Sequence, residues 1–279
     1  MQTRLSLSIT LSIALLAPAC IIHDTDPVPG DGDGDGDGDG DGDGDIAAEA
    51  SISGIVLDWE TGLPVEAADV AIDTAWDQQP FFPTERTPIA TVTTGVDGRF
   101  GPIDVEFAEL TLAPPIVLLK VTGADRAPTA SDQRLRCLPR EADDVWVCDA
   151  IDHTIIAPSS TLDAAWRADM SAGGMPTAAE TGLVIFEYRE SDGAPATDVR
   201  TRNIHNDLVN GRTLRYLEAD GVTLAAPTHA KTTESGIAII ASDRDSDRIS
   251  GSRNGAQWFD LGVLFAPGWY FLEDRTISN

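Results

Sequence analysis

"SISGIVLDWETGLPVEAADVAI", residues 51–72, decides the fold. Apolar and polar residues alternate on both sides of a Gly62-Leu63-Pro64 break, which reads as strand, turn, strand. The next stretch, "TPIATVTTGVDGRFGPIDV" at residues 87–105, reads the same way: a strand, a Val-Asp-Gly turn, another strand. Period-2 segments separated by turn signals predict an antiparallel β-sandwich rather than a helical or α/β fold.

Ser53-Gly54-Ile55-Val56, the turn Thr61-Gly62-Leu63-Pro64, Asp69-Val70-Ala71-Ile72 and Thr93-Thr94-Gly95-Val96-Asp97-Gly98-Arg99-Phe100 together resemble the carboxypeptidase regulatory-like (transthyretin-related) domain. The resemblance spans roughly residues 50–125. It implies a small Greek-key sandwich of the kind carried as a non-catalytic module by exported bacterial proteins. The segment Asp73 to Arg86 departs from that pattern by being longer than the usual link between those strands.

A second copy is expected downstream. "TGLVIFEYRESDGAPATDV" (181–199) repeats the strand, Asp-Gly-x-Pro turn and Asp-Val strand start. "AKTTESGIAIIAS" (230–242) resembles the Thr-Thr-x-x-Gly step, with Gly236 standing where Gly98 stands, and "LGVLFAPGWYFLEDR" (261–275) resembles the closing strands, turning at Pro267-Gly268. Between the copies, "SSTLDAAWRADMSAGG" (159–174) predicts a short helix. Ser160 is the expected cap, Leu162, Trp166 and Met170 share a face, and Gly173-Gly174 end it. The expected architecture is mainly β: two Greek-key antiparallel sandwich domains, 50–157 and 158–279, with one short helix between their strands.

The N-terminus reads as an export signal. Arg4 is its one charge, and the apolar stretch from Leu5 to Leu16 is too short and too rich in Ser and Thr to span a bilayer stably. Ala17-Pro18-Ala19-Cys20 resembles the end of a bacterial lipoprotein signal, with Leu16 displaced by one position. That implies removal of 1–19 and lipidation of Cys20. Ala17-x-Ala19 also fits ordinary signal-peptidase cleavage, which leaves a soluble chain with a free Cys20; an uncleaved signal anchor is the third alternative. The chain has three cysteines, so Cys137 and Cys148 remain to pair with each other in an exported protein. "CLPREADDVWVC" sets them at the base of a hairpin whose returning strand is Val145-Trp146-Val147. Two reduced, buried thiols are the alternative.

Residues 31–45 alternate Asp and Gly, with eight aspartates and nothing apolar to bury. Such a run is expected to be disordered, and residues 20–49 to act as a tether. From Cys20 to Asp45 the contour is roughly 85 Å, averaging about 30 Å as a flexible coil. The net charge of −27 argues against nucleic acid as a partner and against direct contact with anionic headgroups. Membrane contact is therefore expected through lipid at Cys20, at the outer membrane or cell surface, with a periplasmic or secreted soluble protein as the alternative. The expected partner is an envelope protein or glycan.

No nucleophile elbow, phosphate loop, dinucleotide fingerprint or Cys-x-x-Cys occurs in the sequence. The four histidines are scattered, without the spacing of a metal site. Tyr188, Tyr216, Tyr270, His205 and His229 are the residues available as ligands of an intradiol-dioxygenase iron site, a related sandwich, but that family's closely spaced His pair is absent. Asp243, Asp245 and Asp247 have the every-other spacing of a calcium loop's first ligands, yet Arg248 replaces the turn glycine and Asn254 the distal acid. A solvated loop is the expected reading, with no catalytic residues and no cofactor. Trp76, Phe81 and Phe82, off any strand pattern in the long link, form the candidate binding loop, since rigid aromatic faces lose little entropy on binding. The alternative is that they cover an open end of the sandwich. Trp59, Trp146, Trp258 and Trp269 fall within strand-like runs and are expected in the core.

Overall fold

The computed structural model describes residues 48–74, 88–107, 116–140, 145–174, 181–203, 205, 208, 213–242, 246–254, 256–264 and 268–276. All of these belong to one compact unit. The first strand, β1 (Ala48–Asp58), alternates buried and half-buried side chains along its whole length, as its sequence period requires. On one flank β1 pairs antiparallel with β4 (Arg99–Phe107). On the other it pairs parallel with β8 (Val145–Cys148) at its start and then with β9 (Ile151–Ala157). The antiparallel partner of β8 is β7 (Cys137–Arg140), which forms the edge.

The facing layer runs in the order β3 (Ala90–Thr93), β2 (Asp69–Thr74), β5 (Ile116–Thr122) and β6 (Thr129–Arg134). It does not stop at the predicted boundary of 157/158. β6 pairs parallel with β16 (Tyr270–Thr276), and the sheet continues through β10 (Gly182–Arg189) and β13 (Ile237–Ser242) to β12 (Leu214–Tyr216), eight strands in all. A separate three-stranded sheet of β11 (Arg200–Asn203), β14 (Ser246–Arg253) and β15 (Ala256–Leu264) covers part of it.

The long sheet is apolar on both faces. Val117, Leu119 and Val121 of β5 pack with Ile52, Val56 and Ile155 in the first core. Leu118, between them, points the other way and joins Ala130, Phe186, Tyr188, Tyr216 and Phe271 in the second. The two sandwiches therefore use opposite faces of one sheet. The single described helix, α1 (Ser160–Ala172), lies over β10, β13 and β16, placing Leu162, Trp166 and Met170 on Leu183, Ile185, Ile239 and Tyr270. Burial of each of those three helix side chains is worth about 2 kcal/mol. The cap is Ser159 rather than the expected Ser160: its Oγ accepts at 3.0 Å from the N–H of Leu162, the third residue of the helix, within reach of a cap.

The two halves share a set of bonds around the first turn and the start of the second strand. In the first, Val56 N–H donates to Gly98 O and Val65 N–H to Val56 O, both at 2.9 Å. In the second, Tyr188 N–H donates to Gly236 O at 2.9 Å and Ala196 N–H to Tyr188 O at 2.7 Å. Thr94 Oγ1 accepts from Ala68 N–H at 2.9 Å and donates to Val65 O at 2.7 Å. Thr232 Oγ1 does the same with Val199 N–H at 2.9 Å and Ala196 O at 2.8 Å. Gly98 and Gly236 both sit at φ +71°, and a Cβ on either would lie under 3 Å from a backbone atom of the first strand or its turn. The match of Gly236 to Gly98 thus holds, with Thr232 standing at Thr94.

The mainly β, sandwich-forming expectation holds, but its strands are not all antiparallel: β1–β9, β10–β16 and β6–β16 run parallel. Parallel neighbours need a long crossover. Here the strands of the opposite layer supply it, so each half ends beside the strand that began it.

Candidate functional site

The candidate iron ligands do not converge. Tyr188 and Tyr216 meet in the second core, where Tyr188 Oη lies 3.2 Å from Thr201 Oγ1 and Tyr216 Oη accepts from Thr201 N–H at 3.1 Å. His229 packs edge to face with Tyr216, with centroids 6.2 Å apart. Tyr270 lies on the opposite face of the sheet, where its hydroxyl donates to Asp163 at 2.6 Å. His205 stands 4.0 Å from Asp247. Burial pushes both the Tyr216 and Tyr270 phenols above their ordinary values, so both remain protonated donors at neutral pH.

Tyr216 has a structural task that its sequence context did not reveal. In the first half Val70 pairs with Val92 in the β2–β3 ladder. At the matching place in the second half, Thr201 N–H meets Tyr216 Oη, which in turn donates to Ala230 O at 3.4 Å. The phenol thus stands where a strand-to-strand bond would lie, and the segment around Ala230 is irregular rather than strand.

Asp247 is not free to serve a cation as drawn from its spacing. It is buried, accepts from Asn203 Nδ2 at 2.8 Å and from its neighbour Arg248 N–H at 2.7 Å. Asp243 and Asp245 lie outside the described residues, as do Cys20 and the loop residues Trp76, Phe81 and Phe82. Among the described residues no group of three or more His, Cys, Asp or Glu is placed to hold a metal, and no helix there is long and apolar enough to cross a membrane. Cys137 and Cys148 are directly opposed in the β7–β8 hairpin and joined by a disulfide, as their spacing predicts. Trp146 and Trp269 are partly buried against the first and second cores. Trp59, just past β1, ties the halves together by donating from Nε1 to Gly221 O at 2.8 Å. The Trp258 side chain lies outside the described residues.

One contact that the sequence reading missed is a serine–histidine pair. His153 on β9 lies 2.9 Å from Ser131 on β6, joining the two layers of the first sandwich. A nucleophile needs such a base, itself held by a third group. Here the adjacent Asp152 turns outward, two-thirds exposed, toward Arg99 at 3.7 Å. Ser131 is buried, so the pair acts as a bolt between layers. Burial outweighs Asp152 and lowers the His153 pKa from 6.5 to about 4. The inward-facing run Ile151, His153, Ile155 was the available signal.

Each half also holds its first turn by an ion pair: Asp58 with Arg126, and Glu190 with Arg253. Burial works to raise the Asp58 carboxyl, but Thr61 and Arg126 together hold it below its ordinary value.

No protein family and no curated protein matches the sequence. Among solved structures the chain is similar to the Bacillus anthracis TIE protein, at 9% identity and a TM-score of 0.23, over 84% of this chain and 34% of that one. It is similar to the dioxygenase domain of a dioxygenase carbohydrate-binding protein fusion from Streptomyces sp. SirexAA-E, at 12% identity and a TM-score of 0.26, over 40% of this chain and 80% of that one. The shaft pilin SpaA of Lactobacillus rhamnosus GG matches at 12% identity and a TM-score of 0.22, over 84% of this chain and 99% of that one. The chain thus spans about a third of the length of the TIE protein. At these scores the likenesses carry no functional argument.

Proposed function

We propose that this protein is an exported lipoprotein whose carboxypeptidase regulatory-like sandwiches act as a non-enzymatic structural or adhesive module, held at the outer membrane or cell surface by Cys20 and the acidic tether. The observation that supports it most directly is where the chain enters the fold. Ala48 begins β1, an inner strand paired along both flanks, with β4 on one side and β8 and β9 on the other. A pull transmitted from the N-terminal side must slide two ladders at once, and many hydrogen bonds loaded together resist better than bonds opened in turn. Arg140 pairs with Glu49 at 3.3 Å beside that entry, on the disulfide-locked hairpin.

The test is the intact mass of the protein from its native membrane fraction, with and without reductant. A chain beginning at Cys20 with added diacylglyceryl mass supports the reading, and a gain of two hydrogens on reduction counts the disulfide. An unmodified chain in the soluble fraction overturns the tether. A binding role is a second reading. Both halves carry their longest insertion at the same topological place, between the second strand and the repeated threonine, at 75–89 and at 204–229. In the first half that insertion holds Trp76, Phe81 and Phe82, suited to a glycan or an envelope protein. Replacing all three by Ala abolishes binding to isolated envelope glycan without unfolding the protein; intact binding overturns the loop's role.

A further inference from the structure

Two buried guanidinium groups meet at α1: Arg167 belongs to the helix, and Arg215 reaches it from the sheet. Arg167 reaches Asp163 through Nε at 2.5 Å and lies over the Tyr270 ring, 5.4 Å from its centroid. Its carboxylate partner is only 23% exposed, so the attraction acts where water screens it little.

Arg215, on β12, is placed differently. Its neighbours Leu214 and Tyr216 point into the second core, while Arg215 itself turns to the helix side of the sheet. Nη2 donates to Asp169 Oδ2 at 3.0 Å and to Ala225 O at 2.6 Å. Nε and Nη1 are buried and meet no acceptor from the protein. The side chain is 2% exposed, whereas that of Asp169 is 49% exposed. The carboxylate therefore stands half in water, where its field is screened, and the guanidinium does not.

Among the buried cations around α1, Arg215 is thus the least compensated in charge and the least satisfied in hydrogen bonds. An ordered water can fill a donor's need but brings no charge. A small anion brings both, and buried charges persist when paired as well as hydrogen-bonded. With the side chain so nearly buried, any further partner must be compact. We propose that Arg215 holds a small monovalent anion of the halide class on its Nε or Nη1 edge, locking α1 to the eight-stranded sheet.

Chloride, at constant ionic strength against gluconate, is the probe. Melting of the full chain is followed as chloride rises from about 1 mM to about 500 mM. Once chloride exceeds its Kd, each tenfold increase is expected to raise Tm by about 2–4 °C. Arg215→Met is expected to flatten that dependence. If Arg215→Met does not fold, Asp169→Asn serves instead: with the competing carboxylate gone, the stabilisation must begin at lower chloride. Crystals soaked in bromide are expected to show an anomalous peak at the Arg215 guanidinium. A Tm independent of chloride in the unaltered protein, an unchanged chloride response in Asp169→Asn, or an ordered water only at Arg215 overturns the proposal.

Discussion

The first and second halves share a stitch and differ in how the flank of the second strand is closed. In both, a threonine hydroxyl links the start of the second strand to the turn before it, and a left-handed glycine lets the next strand pass close beneath. After that step the first half lays β3 along β2. The second half puts Tyr216 into the same position and leaves β11 without that neighbour. The stitch is common because its geometry admits few residues; the flank varies because either a strand or a phenol satisfies the same backbone groups.

The glycines offer the largest test of that equivalence. Gly98→Ala drives a Cβ to 2.7 Å from Val56 O, and Gly236→Ala drives one to 2.6 Å from Tyr188 O, both at φ +71°. Each is expected to cost about 2–5 kcal/mol in chemical denaturation. A tolerated change at one site and not the other breaks the comparison.

The next test separates the halves by pH. His153 bolts the first sandwich; beside Phe186, the counterpart of Gly54, the second half has Glu273. Unfolded, the imidazole takes its proton near 6.5; folded, only near 4. Between those values the unfolded chain binds more protons, so stability falls as pH drops through that window, by about 3 kcal/mol over its full width. Denaturation midpoints at pH 7 and pH 4.5 check this, and His153→Gln is expected to remove that share of the loss.

Thr94→Val and Thr232→Val are expected to cost about 1–3 kcal/mol each, since each leaves a buried N–H and a buried carbonyl without partners. Thr→Ser at either place should restore most of it. Unequal losses would show that the two stitches carry different loads. The smallest effect is expected from Tyr216→Phe, about 1 kcal/mol, with faster hydrogen exchange at the Thr201 amide and no change at Val70.

Much of this was legible in local patterns. The alternation through β1, the Thr61–Pro64 turn, the hairpin spacing of Cys137 and Cys148 and the apolar face of α1 each depend on residues near one another in sequence. The place of Gly236 was legible because a positive φ restricts the residue type. The features that escaped depend on distant pairing. Nothing near Thr129 or Tyr270 announces that β6 and β16 adjoin, and Arg215, Ser131 and Tyr216 take their roles from partners brought by the fold. The apolar runs of β5, with Leu118 between Val117 and Leu119, and of β10 and β13 were local hints of strands covered on both faces.

That shared sheet bears on how such a chain is inherited and cut. Tandem copying commonly yields beads that can be reshuffled singly. Severing this chain between Ala157 and Pro158 would uncover Leu118, Ala130 and Phe271 and open two raw strand edges along β6 and β16. The smallest piece that recombination could move intact, or that a protease would leave standing, is therefore the pair.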